Sequence, residues 1–174
     1  MGKGIIIAGF SGIGKTFLGN KYKNVLDLDS AKFVYDDSEI LHIPFEQRKG
    51  EPRKPNSNWP QNYIDTIKEA TIKYDIVLVW DRQDIIKEYI KNDIEFTLCY
   101  PEKGDLEKYI ERFRNRGNTE KYIKMKIKQY DEKMDMFKNL NVPKVILKNN
   151  KTLEEYLIEK EYKLIIREGK IKSR

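Results

Sequence analysis

The sequence predicts an α/β architecture, a five-stranded and mainly parallel sheet between two layers of helices. Three observations predict it. Five short apolar runs recur along the chain, KGIIIA, VLDLD, IVLVW, EFTLCY and KVIL. Segments with apolar residues at helical spacing separate them, and strand–helix alternation of this kind closes into a parallel sheet through crossovers. The 174 residues suit one domain with its own core.

The elements follow in order. Lys3 to Ala8 reads as a buried parallel strand because its apolar residues are continuous rather than alternating. A glycine-rich turn and a short helix from about Gly14 to Tyr22 come next, then a second strand over Val25 to Asp29. Residues 30–43 read as a short helix with irregular ends. Residues 44–60 hold four prolines, one glycine and four basic side chains, the longest loop signal in the chain, and loops of that length in a compact domain are usually functional or mobile. Gln61 to Lys73 is amphipathic through Tyr63, Ile64, Ile67 and Ala70. Ile76 to Trp80 is a third strand, Asp84 to Asn92 a helix, and Glu95 to Tyr100 a fourth strand stopped by Pro101. Leu106 to Arg116 is a helix with Gly117 at its C-cap. Thr119 caps the next helix, which has Glu120 in its first turn and a stripe of Ile123, Ile127, Tyr130, Met134 and Phe137. Lys144 to Leu147 is the fifth strand and Leu153 to Leu157 begins the last helix. Tyr162 to Ser173 reads as a hairpin turning at Glu168-Gly169.

Composition narrows the class. Charged residues make up 36% and hydrophobic ones 39%, and no apolar run approaches the roughly 20 residues of a membrane span. The N-terminal apolar run is too short for a secretory leader, and Ile6 stands where an N-myristoylation motif wants Ser or Thr. The lone Cys99 sits in an apolar run and reads as core, so a reducing cytoplasmic setting is expected, with no membrane partner. The net charge of +6 permits a nucleic-acid partner without requiring one. Lysine carries the excess, as in chains from AT-rich genomes, and a site for anionic phosphates accounts for part of it. His42 is the only histidine and has no nucleophile elbow beside it, which leaves no Ser/His/Asp constellation.

The most specific signal is GFSGIGKT, residues 9–16. Gly9, Gly14, Lys15 and Thr16 meet the pattern G-x-x-x-x-G-K-[ST] in full, between a strand and a helix, the context that gives the motif meaning. Glycines let the backbone of Gly9, Phe10, Ser11, Gly12, Ile13 and Gly14 turn successive N–H groups inward as an anion nest. The following helix aims its positive end at the same place. Lys15 reaches β- and γ-phosphates, and the Thr16 hydroxyl ligates Mg²⁺.

Over roughly residues 3–150 the chain resembles the small P-loop kinases, the group of adenylate, thymidylate and shikimate kinases and phage nucleotide kinases. The resemblance implies a three-layer α/β/α P-loop NTPase fold spanning 1–174 as one domain. It implies an acceptor-binding segment over 30–62 and a short lid over 112–119, with 160–174 as a C-terminal extension. It implies ATP and Mg²⁺ as cofactors and transfer of the γ-phosphoryl group to a small acceptor, most directly a nucleotide or nucleoside. The protein would act as a monomer or homodimer.

Further residues take roles by that resemblance. Asp27 and Asp29 alternate onto one face at the carboxyl end of the second strand, where open α/β sheets bind ligands. A shikimate-kinase-like D-x-D has Asp29 hold or deprotonate the acceptor and Asp27 orient Mg²⁺ through water; the alternative is a pair of solvated strand-end acids. Asp81 closes the apolar run IVLVW like a Walker B metal acid, and stands equally well at the N-cap of the next helix. Arg112 and Arg116 share a helix face in ERFRNRG, and their rigid forks suit phosphate oxygens, so both are candidate catalytic groups, with Arg112 also on the nucleotide. Arg48 and Arg53 are candidates for an acceptor phosphate or carboxylate. Trp59 can stack on a base or serve as a core or hinge residue. A polynucleotide 5′-kinase is the alternative within the class, and a nucleotide-dependent ATPase or switch lies outside it. Guanine-dependent signalling is disfavoured, since Asn149-Asn150-Lys151-Thr152 lacks the Asp of N-K-x-D.

Overall fold

The computed structural model describes residues 3–168. In chain order the elements are β1 (Ile5–Gly9), α1 (Lys15–Lys21), β2 (Val25–Asp27), α2 (Ala31–Val34), β3 (Tyr35–Asp36), β4 (Lys54–Pro55), α3 (Gln61–Lys73), β5 (Ile76–Val79), α4 (Gln83–Lys91), β6 (Thr97–Pro101), α5 (Leu106–Asn115), α6 (Glu120–Asn139), β7 (Lys144–Leu147) and α7 (Leu153–Glu159). Short 3₁₀ turns cover Ser38–Ile40, Phe45–Gly50 and Lys103–Asp105.

Five strands form one parallel sheet in the order β2-β5-β1-β6-β7. Helices flank it, an arrangement compatible with three α/β/α layers. The residues of β5, IVLV, are all buried, because a central strand covered on both faces has no solvent side to alternate towards. Each such side chain contributes about 1.5–3 kcal/mol, against roughly 0–1 kcal/mol for an exposed ion pair, so the sheet rests on this strand and on β1. α7 lies on the sheet face that bears Ile5 and Ile7, since Leu153 and Tyr156 line a small cavity with them. The Lys21 ammonium and the Tyr22 hydroxyl both donate to Glu154 Oε1, which joins α1 to α7. Right-handed crossovers put α1, which leads back to β2, opposite the helices that lead forward to β5, β6 and β7.

The topology has one switch point. The connection after β1 runs towards β2 and the one after β6 runs towards β7, so the chain departs in opposite directions from two neighbouring strands. A crevice opens there at the carboxyl ends of the strands, the place where open α/β sheets take ligands. The glycine-rich turn occupies that crevice.

Several elements differ from expectation. β2 ends at Asp27 rather than Asp29, because the Asp29 carboxylate accepts the Ala31 N–H at 2.9 Å and turns the chain. The helix expected over 30–43 shrinks to Ala31–Val34, followed by a two-residue strand, and residues within the expected 44–60 loop pair with it through Tyr35↔Pro55 and Asp36↔Lys54. β5 stops before Trp80, whose N–H goes to the Tyr63 hydroxyl instead of the ladder. The expected hairpin over 162–173 has its turn and second arm outside the described residues. Its first arm lies along the α1–β2 connection, with Ile166 bridged to Tyr22 and the Asn24 side chain tied to Lys163 and Ile165. The helix ends agree with expectation. Thr119 accepts the Tyr122 N–H, and Gly117 adopts φ 73° to close α5. Among the described residues no helix is long and apolar enough to cross a membrane.

Candidate functional site

In the turn between β1 and α1 the carbonyls of Gly12, Ile13 and Gly14 are each taken by a donor from another element. Arg112 donates to Gly12 O at 3.1 Å, the Leu153 N–H donates to Ile13 O at 3.0 Å, and Gly14 O takes the first helical bond, from Leu18. The backbone hydrogen bonds of the described residues include none donated by the N–H groups of Ser11 to Thr16. The two residues that reverse the backbone, Gly12 and Gly14, have φ 97° and 108°, a region that side chains with a Cβ rarely adopt. Six amides without an acceptor among the described residues therefore gather at the start of α1, whose first turn carries no acidic residue.

Neighbouring elements fix the turn in place. Phe10 N–H donates to Cys99 O of β6 at 2.9 Å, and the Phe10 ring meets Tyr109 and Tyr130 edge-on at 5.7 and 5.8 Å. The Ser11 hydroxyl reaches the Tyr122 hydroxyl of α6 at 3.3 Å. The Lys15 side chain folds back over the turn, and its ammonium donates to Gly9 O and Phe10 O. Desolvation there holds its pKa below the ordinary lysine value, with Asp81 and Asp27 opposing in part and Lys133 and Arg116 adding to the depression. That set of charges marks the centre of the site. It joins residues from α1, the end of β2, the segment after β5, the C-cap of α5 and α6.

Thr16 and Asp27 come together. The Thr16 hydroxyl donates to Asp27 Oδ2 at 2.8 Å. The approach depends on Gly19, where an added Cβ would lie 2.9 Å from Asp27 Cβ and 3.0 Å from its backbone nitrogen, so a side chain there would push β2 away from α1. Asp29 is not brought to the same partner: it is exposed and caps α2 through Ala31. The Tyr63 hydroxyl, raised in pKa by burial, donates to Leu28 O and accepts from Trp80 N–H, which pins the carboxyl ends of β2 and β5 side by side. Sequence periodicity marks Tyr63 only as packing.

Asp81 is 2% exposed. Its Oδ2 lies 2.7 Å from Lys133 Nζ of α6, a contact ionic by distance whose angle leaves the oxygen without a directional hydrogen bond. Lys133 is the group that sequence reading misses. It sits among many lysines on α6, and only the fold reveals that it points inward.

The expected arginines separate. Arg112 spends its donors on Gly12 O, Asn150 O and Asn150 Oδ1, and its plane lies over Tyr109 at 4.6 Å. It clamps the turn to the β7–α7 loop. Arg116, at the C-cap of α5, is exposed and acts on Lys15 through its field. Arg48 and Arg53 both converge on Asp37, an acid the sequence does not single out. Hydrogen bonds from Arg53 hold the Asp37 carboxyl below its ordinary value against the opposing effect of burial, and Arg48 adds to them. Two arginines on one carboxylate leave that three-residue cluster with one positive charge in excess. Trp59 packs on Tyr63 and Trp80 at 5.6 and 6.5 Å between ring centres, in an aromatic wall beside Asp81.

Mg²⁺ suits this donor set. It takes one or two protein oxygens and keeps water and phosphate oxygens for the rest. Thr16 and Asp27 would supply those oxygens, with Asp81 behind them. Among the described residues no cluster of three His, Cys, Asp or Glu side chains occurs, so a metal held wholly by protein ligands is not what the site provides. A larger concavity of about 940 Å³ lies at the opposite end of the sheet, between Lys68, Ile90, Phe96 and Pro143. Its charged lining, Lys3, Lys68, Asp93 and Glu95, shares no residue with the turn. No protein-family model and no curated protein matches the chain.

Proposed function

We propose that the chain is an ATP-dependent phosphotransferase of the P-loop kinase type, moving the γ-phosphoryl group of ATP to a small acceptor, most directly a nucleotide or nucleoside. The observation that supports this reading is the row of amides from Ser11 to Thr16, free of acceptors among the described residues and ending in the side chains of Lys15 and Thr16 at the switch point of the sheet. An array of inward N–H groups at a helix start is an anion site, and oxygens of a polyphosphate match it in number and charge. The Lys15 ammonium, held on two backbone carbonyls, exchanges those neutral acceptors for charged phosphate oxygens, a stronger class of hydrogen bond.

Phosphoryl transfer needs positioning and neutralisation more than covalent chemistry from the protein. The amides and Lys15 hold the β- and γ-phosphates. Bound Mg²⁺ supplies neutralisation of the phosphate charge, and Thr16 and Asp27 would hold it. Arg116 closes from the α5–α6 connection. An acceptor oxygen attacks the γ-phosphorus, the bridging oxygen bond breaks, and ADP leaves with the electron pair. A nucleoside monophosphate offers an ionised oxygen and needs no base. A hydroxyl acceptor must lose a proton, and the exposed Asp29 would take it. Segment 30–62, with Arg48, Arg53 and the aromatic wall of Trp59, presents the acceptor; an acceptor phosphate competes with Asp37 for those arginines.

The test is ADP release from MgATP in the presence of separate acceptors: ribo- and deoxyribonucleoside monophosphates, nucleosides, small alcohols and a 5′-hydroxyl oligonucleotide. One mononucleotide or nucleoside is expected to raise release at least tenfold above background. Stimulation by the oligonucleotide alone would make the protein a polynucleotide kinase. Release indifferent to every acceptor would make it an ATPase.

A further inference from the structure

Among the described residues the buried carboxylate Asp81 has one ion-pair partner within contact distance, and it comes from a long way off in the chain. Lys133 extends from the middle of α6, its ammonium 5.1 Å from the Phe10 ring centre and 5.2 Å from that of Phe137. These two rings form a sleeve that aims the side chain at the turn, since Phe10 belongs to the turn itself. The side chain retains 23% exposure, enough room to change partner. Lys133 also contributes to the field that depresses Lys15, so the two ammonium groups already lie within interaction range of each other.

The other cations near the turn are largely committed. Arg112 holds three backbone and amide oxygens. Arg114 pairs with Glu120 on the surface. Arg116 and Lys133, the two further cations whose fields reach Lys15, are the candidates to follow a phosphate. Of these, only Lys133 is directed inward by aromatic walls and already sits on an acid at the carboxyl end of β5.

We infer that Lys133 is a catalytic residue of the reaction proposed above, on which this inference rests: its ammonium leaves Asp81 and takes an oxygen of the γ-phosphate when a nucleoside triphosphate enters the turn. In the protein alone the Asp81 carboxylate keeps Lys133 inside the site and neutral as a pair. A triphosphate carries more negative charge than one carboxylate and attracts the ammonium more strongly. Lys133 acts here by charge and position alone. While the acceptor oxygen bonds to phosphorus and the bridging bond breaks towards ADP, it balances charge on the transferred group and moves no proton. The same exchange uncovers the Asp81 oxygen.

The experiment compares binding of the imido analogue of ATP and of ADP, each with Mg²⁺, by isothermal titration to the wild type, Lys133→Met and Lys133→Arg. Lys133→Met is expected to weaken the triphosphate analogue at least tenfold and ADP less than twofold, with Lys133→Arg recovering part of the loss. ADP binding in the same sample reports that the variant is folded and its turn intact. Equal loss for both nucleotides, or no loss for either, would overturn the inference and return Lys133 to a structural counter-ion of Asp81. Wild-type protein that binds neither nucleotide would overturn the kinase reading as well, a different outcome from either of these.

Discussion

Lys15→Met is expected to lower acceptor-dependent ATP turnover by roughly 10²–10³-fold, the cost of removing a preorganised donor from a site of developing negative charge. The fold should survive, because the Lys15 ammonium hydrogen-bonds only to Gly9 O and Phe10 O of its own turn. Stability should move in the opposite direction to activity. Desolvation keeps the folded-state pKa of Lys15 below the ordinary 10.5, so the unfolded chain holds that proton more tightly. Near neutral pH the charged lysine therefore costs stability, and the variant should melt higher than the wild type. As pH rises through the depressed folded value towards 10.5 the wild type sheds this penalty, and the gap should narrow. Melting temperatures of both proteins from pH 7 upward, beside their turnover rates, check both statements. Turnover within twofold of wild type would remove Lys15 from the mechanism.

Asp81→Asn should have the second largest effect, on stability and activity together. The amide fills the same volume but leaves Lys133 without its charge partner and Lys15 without the largest influence opposing its desolvation. Breaking one side of a buried pair typically costs about 3 kcal/mol or more. For a domain of this size that corresponds to a fall in melting temperature of roughly 6–12 °C. Asp27→Asn is the control. Asp27 is less buried and its Thr16 partner can turn to water, so it should lose activity with Mg²⁺ while melting close to wild type. If Asp81→Asn melts like Asp27→Asn, the Lys133 pair contributes no stability and α6 is held by its apolar stripe alone.

The parts of this architecture legible in the sequence are those set by local physics. Continuous apolar runs mark β1, β5 and β7, and the Thr119 cap and Gly117 reversal mark the α5–α6 boundary within a residue. The motif at 9–16 is legible for the same reason, since a backbone turn has to be written in adjacent residues. What stayed hidden depends on pairings distant in sequence. Asp81 and Lys133 meet only because α6 packs back across β5's end; spacing puts Lys133 on the flank of the apolar stripe, three after Tyr130 and four before Phe137, but puts Lys126 on the same flank. Arg112 looks like its neighbours Arg114 and Arg116 in the string, yet the fold spends it on Gly12 and Asn150. Segment 30–55 broke into short pieces because Asp37 gathers Arg48 and Arg53 around one carboxylate, a tertiary constraint that overrides local propensity. Gly19 looks like an unremarkable helix glycine until β2 is laid against it.

Backbone amide spectra of ¹⁵N-labelled protein, titrated with MgATP, MgADP and AMP, test the central claim most directly. The amides of Ser11 to Thr16 are expected to shift on saturation, with affinity falling from ATP to ADP and little response to AMP. Saturable MgATP binding that leaves those six amides unmoved, or no binding at millimolar nucleotide, would contradict it.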